Sequence, residues 1–336
     1  MNSLPDDNAS SVMRIPVTLH VRAGIDSGPG WKISGDLYQR AGEAPRLVQV
    51  LVPGLTYDRR YWTMPGQYNY ADHMARAGHA VFVFDRIGTG RSSRPEAEQV
   101  TAEVHVAVLH QLVAALRDGR IADQSFDQVV VVGHSYGSGI GLMEATQYQD
   151  VDGLIVSGML HAFTDLYEEV RGFFHPAADD PILTATAPPV GYLTQRPGLR
   201  SRMLEHPPTV EPRMSEYNEL IKSTGTLGEG ETLPQTYLPN QSVGVRVPVL
   251  LVVGQQDALF CGESVGSCRT SAAVHEYEQE FYSPEAQLET HVIPDCGHSL
   301  NLHTGAQAWF DLVVDWIGRK VPGAPVASAD VPSTRP

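Results

Sequence analysis

The chain has 336 residues, 42% of them hydrophobic and 19% charged, with 31 Gly and 24 Pro. That composition excludes a disordered or collagen-like chain and fits one large α/β domain with an insertion, or about two domains of ordinary size. Against 39 Asp and Glu stand 24 Lys and Arg, a formal charge of -15, and with no basic cluster nucleic acid and acidic membrane surfaces are poor partners. No run of about 18 apolar residues offers a membrane span. The start, MNSLPDDNASS, lacks the basic and apolar segments of a secretory leader, so a cytoplasmic chain is expected unless a leader has been removed.

In chain order, residues 16–21 and 31–38 alternate polar and apolar side chains and predict a half-exposed antiparallel hairpin. The runs 47–52, 80–84, 128–132, 154–157, 249–253 and 288–293 are short and mostly β-branched, as in strands buried on both faces. Helix-length segments at 70–77, 101–116, 138–148, 271–281 and 302–317 separate them. This alternation predicts an α/β fold, a mostly parallel sheet covered by helices. From about 159 to 245 the rhythm fails and ten prolines forbid long regular elements. A structureless loop of that length is improbable, so a small, mainly helical lid is expected. Its best helix would carry Phe163, Leu166, Tyr167, Val170, Phe173 and Phe174 on one apolar face. The predicted division is a core of 14–158 and 246–318, a lid of 159–245 and a disordered tail of 319–336.

The sharpest local signal is Gly133-His134-Ser135-Tyr136-Gly137, which follows an apolar run directly and opens a helix-like stretch. That is G-x-S-x-G in the context its chemistry needs. Small residues on either side let the backbone turn tightly and expose the serine Oγ. The helix N-terminus then supplies N–H donors where an oxyanion would form.

With this motif the chain resembles the α/β-hydrolase fold family, over nearly all of residues 14–318. Two further motifs agree: Leu51-Val-Pro-Gly-Leu55 after the third strand, and Phe84-Asp-Arg-Ile-Gly-Thr-Gly-Arg-Ser92 after the fourth, a structural turn. The resemblance implies a mostly parallel, eight-stranded twisted sheet with helices on both faces. It also implies an oxyanion hole from the N–H groups of Leu55 and Tyr136, although Pro53-Gly54 stands where the family usually has His-Gly. A serine needs a base oriented by a third group. Among 13 histidines, His298 in Asp295-Cys-Gly-His-Ser299 follows the last apolar strand, where the resemblance puts the catalytic histidine. His134 and His303 read as packing or surface residues. Asp257, in the turn after the penultimate strand, matches the family's carboxylate, and Asp165 is the fallback.

These residues imply acyl-transfer chemistry through an acyl-enzyme, with no metal or cofactor required. The expected activity is a serine esterase or lactonase, with an acyltransferase, a lyase, a C–C bond hydrolase or a non-catalytic binding member as alternatives. Tyr57, Tyr61, Trp62, Phe163 and Tyr167 are expected to wall a pocket for an uncharged, moderately apolar small molecule. Arg59, Arg60 and Arg86 read as surface groups that could serve as an anion handle. Cys261 and Cys268 either close their Gly/Ser-rich loop with a disulfide or stay reduced, and Cys296 reads as buried packing.

Overall fold

A computed structural model describes residues 11–24, 28, 30–262 and 268–321. The N-terminal hairpin pairs β1 (Val12–Arg22) with β2 (Gly30–Arg40) antiparallel, in a register from Val12 opposite Arg40 to Arg22 opposite Gly30. Burial along β1 alternates, as its sequence pattern requires. Six further strands, β3 (Leu47–Val52), β4 (Ala80–Phe84), β5 (Gln128–His134), β6 (Gly153–Ser157), β10 (Val249–Gly254) and β11 (Glu289–Ile293), complete an eight-stranded sheet. Its spatial order is β1-β2-β4-β3-β5-β6-β10-β11, antiparallel from β1 to β4 and parallel thereafter. Every residue of β3, β4, β6 and β10 is buried, which explains why those strands read as continuous apolar runs rather than alternating ones.

The crossover helices are α1 (Tyr70–Arg76), α2 (Ala102–Arg117), α3 (Tyr136–Gln147) and α8 (Ser271–Glu278), and α9 (Ala306–Lys320) follows the last strand. Asn69, Thr101 and Thr270 cap α1, α2 and α8 by accepting the N–H groups of Asp72, Val104 and Ala273. Helices cover both faces of the sheet, α1 packing with α9 and α2 with α3. The one polar side chain inside β3, Gln49, is satisfied by its Nε2 on His79 Nδ1 at 2.7 Å and by the Tyr70 hydroxyl at 2.7 Å. Helix α9 runs through Lys320, past the predicted start of a tail, and residues 322–336 of that tail lie outside the described residues. Among the described residues no helix is long and apolar enough to cross a membrane.

Between β6 and β10 the chain forms short helices, α4 (Asp165–Val170), α5 (Arg200–Leu204), α6 (Pro212–Leu220) and α7 (Leu227–Thr232). It also forms a small antiparallel sheet, β7 (Phe174–Pro176), β8 (Tyr192–Gln195) and β9 (Gly225–Thr226), that the sequence pattern does not suggest. Strands of two to four residues are too short for alternation to register. The predicted apolar helix stops early: Phe173 closes a 3-10 turn and Phe174 begins β7. A minor core of Ala97, Ala177, Leu183 and Tyr192 supports this sheet.

Candidate active site

Ser135 sits where β5 ends and α3 begins, with φ 52° and ψ -120°, a left-handed conformation that costs a non-glycine residue of order 1 to 3 kcal/mol. The surroundings hold it there. The Ser135 N–H donates to Ser157 O at 2.8 Å, and Ser138 N donates back to Ser135 O at 2.8 Å. Close packing explains both flanking glycines. A Cβ on Gly137 would lie 2.1 Å from Val52 O, and one on Gly133 would lie 2.4 Å from the Ser138 backbone. The end of β3 therefore lies directly against the turn. Gly54, next along, approaches the Ser135 side chain so closely that a Cβ there would be 3.3 Å from Ser135 Cβ. Leu55 thus begins its backbone beside the serine.

Asp257 follows β10 and is fully buried. Its Oδ1 accepts the N–H of Leu259 at 2.9 Å, and its Oδ2 accepts His298 Nδ1–H at 2.9 Å. That leaves the imidazole Nε2 as the free face of His298, which lines the same cavity as Ser135. Asp165 instead starts α4 on the exposed surface, and the carboxylate partnered with His298 is Asp257.

Two histidines that read as packing residues support this arrangement. His134 is buried, stacks on Tyr61 at 4.4 Å and lies 5.0 Å from the His298 ring. Burial, with His298 adding to it, pushes its basicity well down, so it stays a neutral neighbour. His303 precedes α9 rather than starting it. Its Nε2 accepts the N–H groups of His206 and Gly297, each at 2.9 Å, and its Nδ1 donates to Ser299 O at 3.0 Å. It thereby clamps the residues on either side of His298, and burial lowers its pKa to about 4.

A narrow cavity of about 50 Å³ joins Ser135, Tyr136 and His298 to Gly54 and Leu55. Of the residues expected to wall it, Tyr57 and Tyr167 do so. Tyr61, Trp62 and Phe163 do not. Tyr61 and Trp62 are fully buried behind His134, packing edge-on at 4.9 Å, and Phe163 backs Tyr167 and Tyr237 from outside the lining. Val170 and Phe174 of the predicted apolar face also reach the wall, which is completed by Met203, Leu204, Leu233 and Leu259, residues the sequence does not single out. Tyr237 is the most consequential of these. Its side chain faces the same cavity as Ser135, and burial raises the pKa of its hydroxyl while the neighbouring Ser135 side chain lowers it. Gln195 also reaches the lining, held by the Thr56 hydroxyl at 2.9 Å and by Arg200. The guanidinium of Arg200 stacks over the Tyr57 ring at 4.5 Å.

Arg86 is not a surface group. Its side chain is 1% exposed, and it donates to Pro53 O and Gly54 O, each at 3.1 Å, while its Nη1 pairs with Glu229 of α7. His105 Nε2 joins them at 2.8 Å from the same carboxylate. Arg59 is mostly buried between Asp36 and Asp85, and Arg60 chelates Asp58. Cys261 and Cys268 are joined by a disulfide, and Cys296 is a buried free thiol.

A strand-turn-helix serine, an Asp-paired histidine and an eight-stranded sheet in this order agree with a match over residues 49–312 to the model described as the alpha/beta hydrolase family. The chain belongs to the alpha/beta hydrolase family. Among solved members of similar fold is a soluble variant of monoglyceride lipase from Saccharomyces cerevisiae, 18% identical, covering 95% of this chain and 99% of that one with a TM-score of 0.63. The enol-lactonase from Burkholderia xenovorans is 17% identical over 85% of this chain and 96% of its own, with a TM-score of 0.55. In sequence, a proline iminopeptidase from Thermoplasma volcanium is 35% identical over 99 residues, which is 29% of this chain and 31% of that protein. The match thus spans about a third of that relative, and the structural likenesses establish the fold of this alpha/beta hydrolase.

Proposed function

We propose that the protein is a serine hydrolase that cleaves an uncharged, moderately apolar ester or lactone through an acyl-enzyme. The observation that carries this reading is a left-handed Ser135 and an Asp257-paired His298 lining one apolar cavity. In this mechanism His298 Nε2 takes the Ser135 proton as Oγ attacks the carbonyl. Asp257 fixes the imidazole tautomer and stabilises the imidazolium. The N–H groups of Tyr136 and Leu55 receive the oxyanion, favoured by the N-terminal end of α3. His298 then protonates the leaving alkoxide and activates the water that frees the acid.

The substrate class follows from the wall. Among the described residues, its aliphatic and aromatic side chains bring no ionised group to the cavity apart from the triad itself, so a charged acyl group would lose its hydration without a partner. The names of the two solved relatives, a monoglyceride lipase and an enol-lactonase, support the same class. At about 50 Å³ the cavity holds a few waters, so an acyl chain enters by displacing side chains of the segment between β6 and β10. A fluorophosphonate should label Ser135, located by peptide mass spectrometry, and Ser135→Ala should lower kcat by roughly 10⁴- to 10⁶-fold. Folded, unblocked protein that takes no label would refute an activated serine. Products from graded esters, lactones and thioesters then separate hydrolysis from acyl transfer.

A further inference from the structure

A second polar cluster lies eight residues beyond the N-terminus of α3, about 12 Å along the helix axis from the serine turn. His110 of α2, Glu144 of α3 and Asp150, in the turn leading to β6, each bring a ligating atom within 4.8 Å of the others. His110 Nδ1 is 2.7 Å from Asp150 Oδ2. Glu144 is 0% exposed, and among the described residues no donor reaches either of its oxygens or Asp150 Oδ1. Two adjoining carboxylates with three orphan oxygens need a proton or a cation between them.

Arg117, the positive side chain that acts on Glu144, is committed elsewhere. Arg117 Nε and Nη2 donate to the main-chain oxygen of Asp150 at 3.0 and 2.6 Å, and Nη2 donates to Asp152 at 2.7 Å. The ring of His110 is held by Tyr148, stacked at 3.9 Å with planes 15° apart. The side chains of His110 and Asp150 are 25% and 24% exposed, so one side of the cluster opens to solvent.

We propose that His110 Nδ1, one Glu144 oxygen and one Asp150 oxygen bind a divalent cation of the zinc class. One imidazole and two carboxylates form a mixed nitrogen and oxygen set that suits zinc or cobalt, with water from the open side as fourth ligand. Calcium and magnesium take more oxygens than this cluster offers. Binding moves the proton on His110 Nδ1 to Nε2 or to solvent, and releases to solvent any proton shared by the carboxylates. The ion then ties α2, α3 and the approach to β6 together behind the serine turn. This inference is independent of the proposed hydrolase activity.

The test uses the untagged full-length chain, stripped with a chelator and titrated with zinc by calorimetry and with cobalt by visible absorption. The expected result is one equivalent bound at micromolar or better affinity, four-coordinate cobalt bands and a higher Tm. Calcium and magnesium should be far weaker. Glu144→Gln and His110→Ala should each lower the affinity by about 100-fold or more. Glu144→Gln removes a buried charge and should fold normally, so loss of binding there is not loss of structure. No zinc binding at 0.1 mM to the wild-type chain would overturn the proposal and assign the cluster to a shared proton. Equal affinity in both variants would overturn it too, by placing the zinc at other histidines.

Discussion

Replacing Arg86 with Met tests whether the segment between β6 and β10 holds the Pro53–Gly54 loop in place. Arg86 joins two parts of the chain: its Nε and Nη2 hold the carbonyls of Pro53 and Gly54, and its Nη1 pairs with Glu229, 143 residues away. Burial works against a charged Glu229, but Arg86 and His105 outweigh it and keep the carboxyl below its ordinary range. Both side chains of the ion pair are at most 1% exposed, so removing the guanidinium leaves a buried carboxylate with little water to replace it. Breaking such a pair costs roughly 3 to 5 kcal/mol. The two released carbonyls add of order 1 kcal/mol each if they stay dry. Denaturant unfolding should therefore show Arg86→Met destabilised by at least about 3 kcal/mol, with Arg86→Met/Glu229→Gln recovering about half, since the amide needs no counter-charge. Under the proposed mechanism, kcat on an ester should fall by about 10² to 10³, the cost of a misplaced oxyanion donor, with KM nearly unchanged. A single variant within about 1 kcal/mol of wild type, or a double variant no more stable than the single, would refute the reasoning.

Asp257→Asn should lower kcat by about 10⁴, as the His298 tautomer is lost, whereas Asp165→Asn should leave the rate within about twofold. Steady-state kinetics of the two variants side by side decides between them. Tyr237→Phe should slow the reaction about tenfold with little change in Tm, because it removes a polar group from the cavity wall that Ser135 shares and almost no buried area. Acid should destabilise the fold before most carboxylates titrate: burial holds His79 and His303 at pKa values of about 4. Below about pH 6.5 the unfolded chain takes up protons at these sites first, so stability present above pH 6.5 is lost towards pH 4, by up to about 3 kcal/mol per histidine. Unfolding curves from pH 7 to 4 should lose part of that slope in His79→Gln. Replacing Cys261 and Cys268 with Ser should lower stability by about 2.5 kcal/mol in the loop-entropy model, read as a shared fall in Tm and in the temperature at which activity is lost.

The sequence by itself determined the sheet, the order of its elements and the serine turn, because those depend on neighbours in the chain. Buried strands read as apolar runs, and the clash that forbids a Cβ at Gly137 is visible as a glycine two residues after Ser135. Asp257 and His298 were legible through the family resemblance, since each stands in a short turn just after a recognisable strand, where the family places its carboxylate and histidine. Tertiary structure alone decided what surrounds them. Tyr237 reaches the cavity of Ser135 from about a hundred residues away, and Arg86 turns inward because Glu229 waits inside. Tyr61 and Trp62 leave the cavity because His134 and the core behind it take up their rings. None of these contacts has a period or a spacing, for they arise where a proline-rich segment of short elements folds back on the sheet, and only the shape of that packing says which aromatic faces substrate and which faces core.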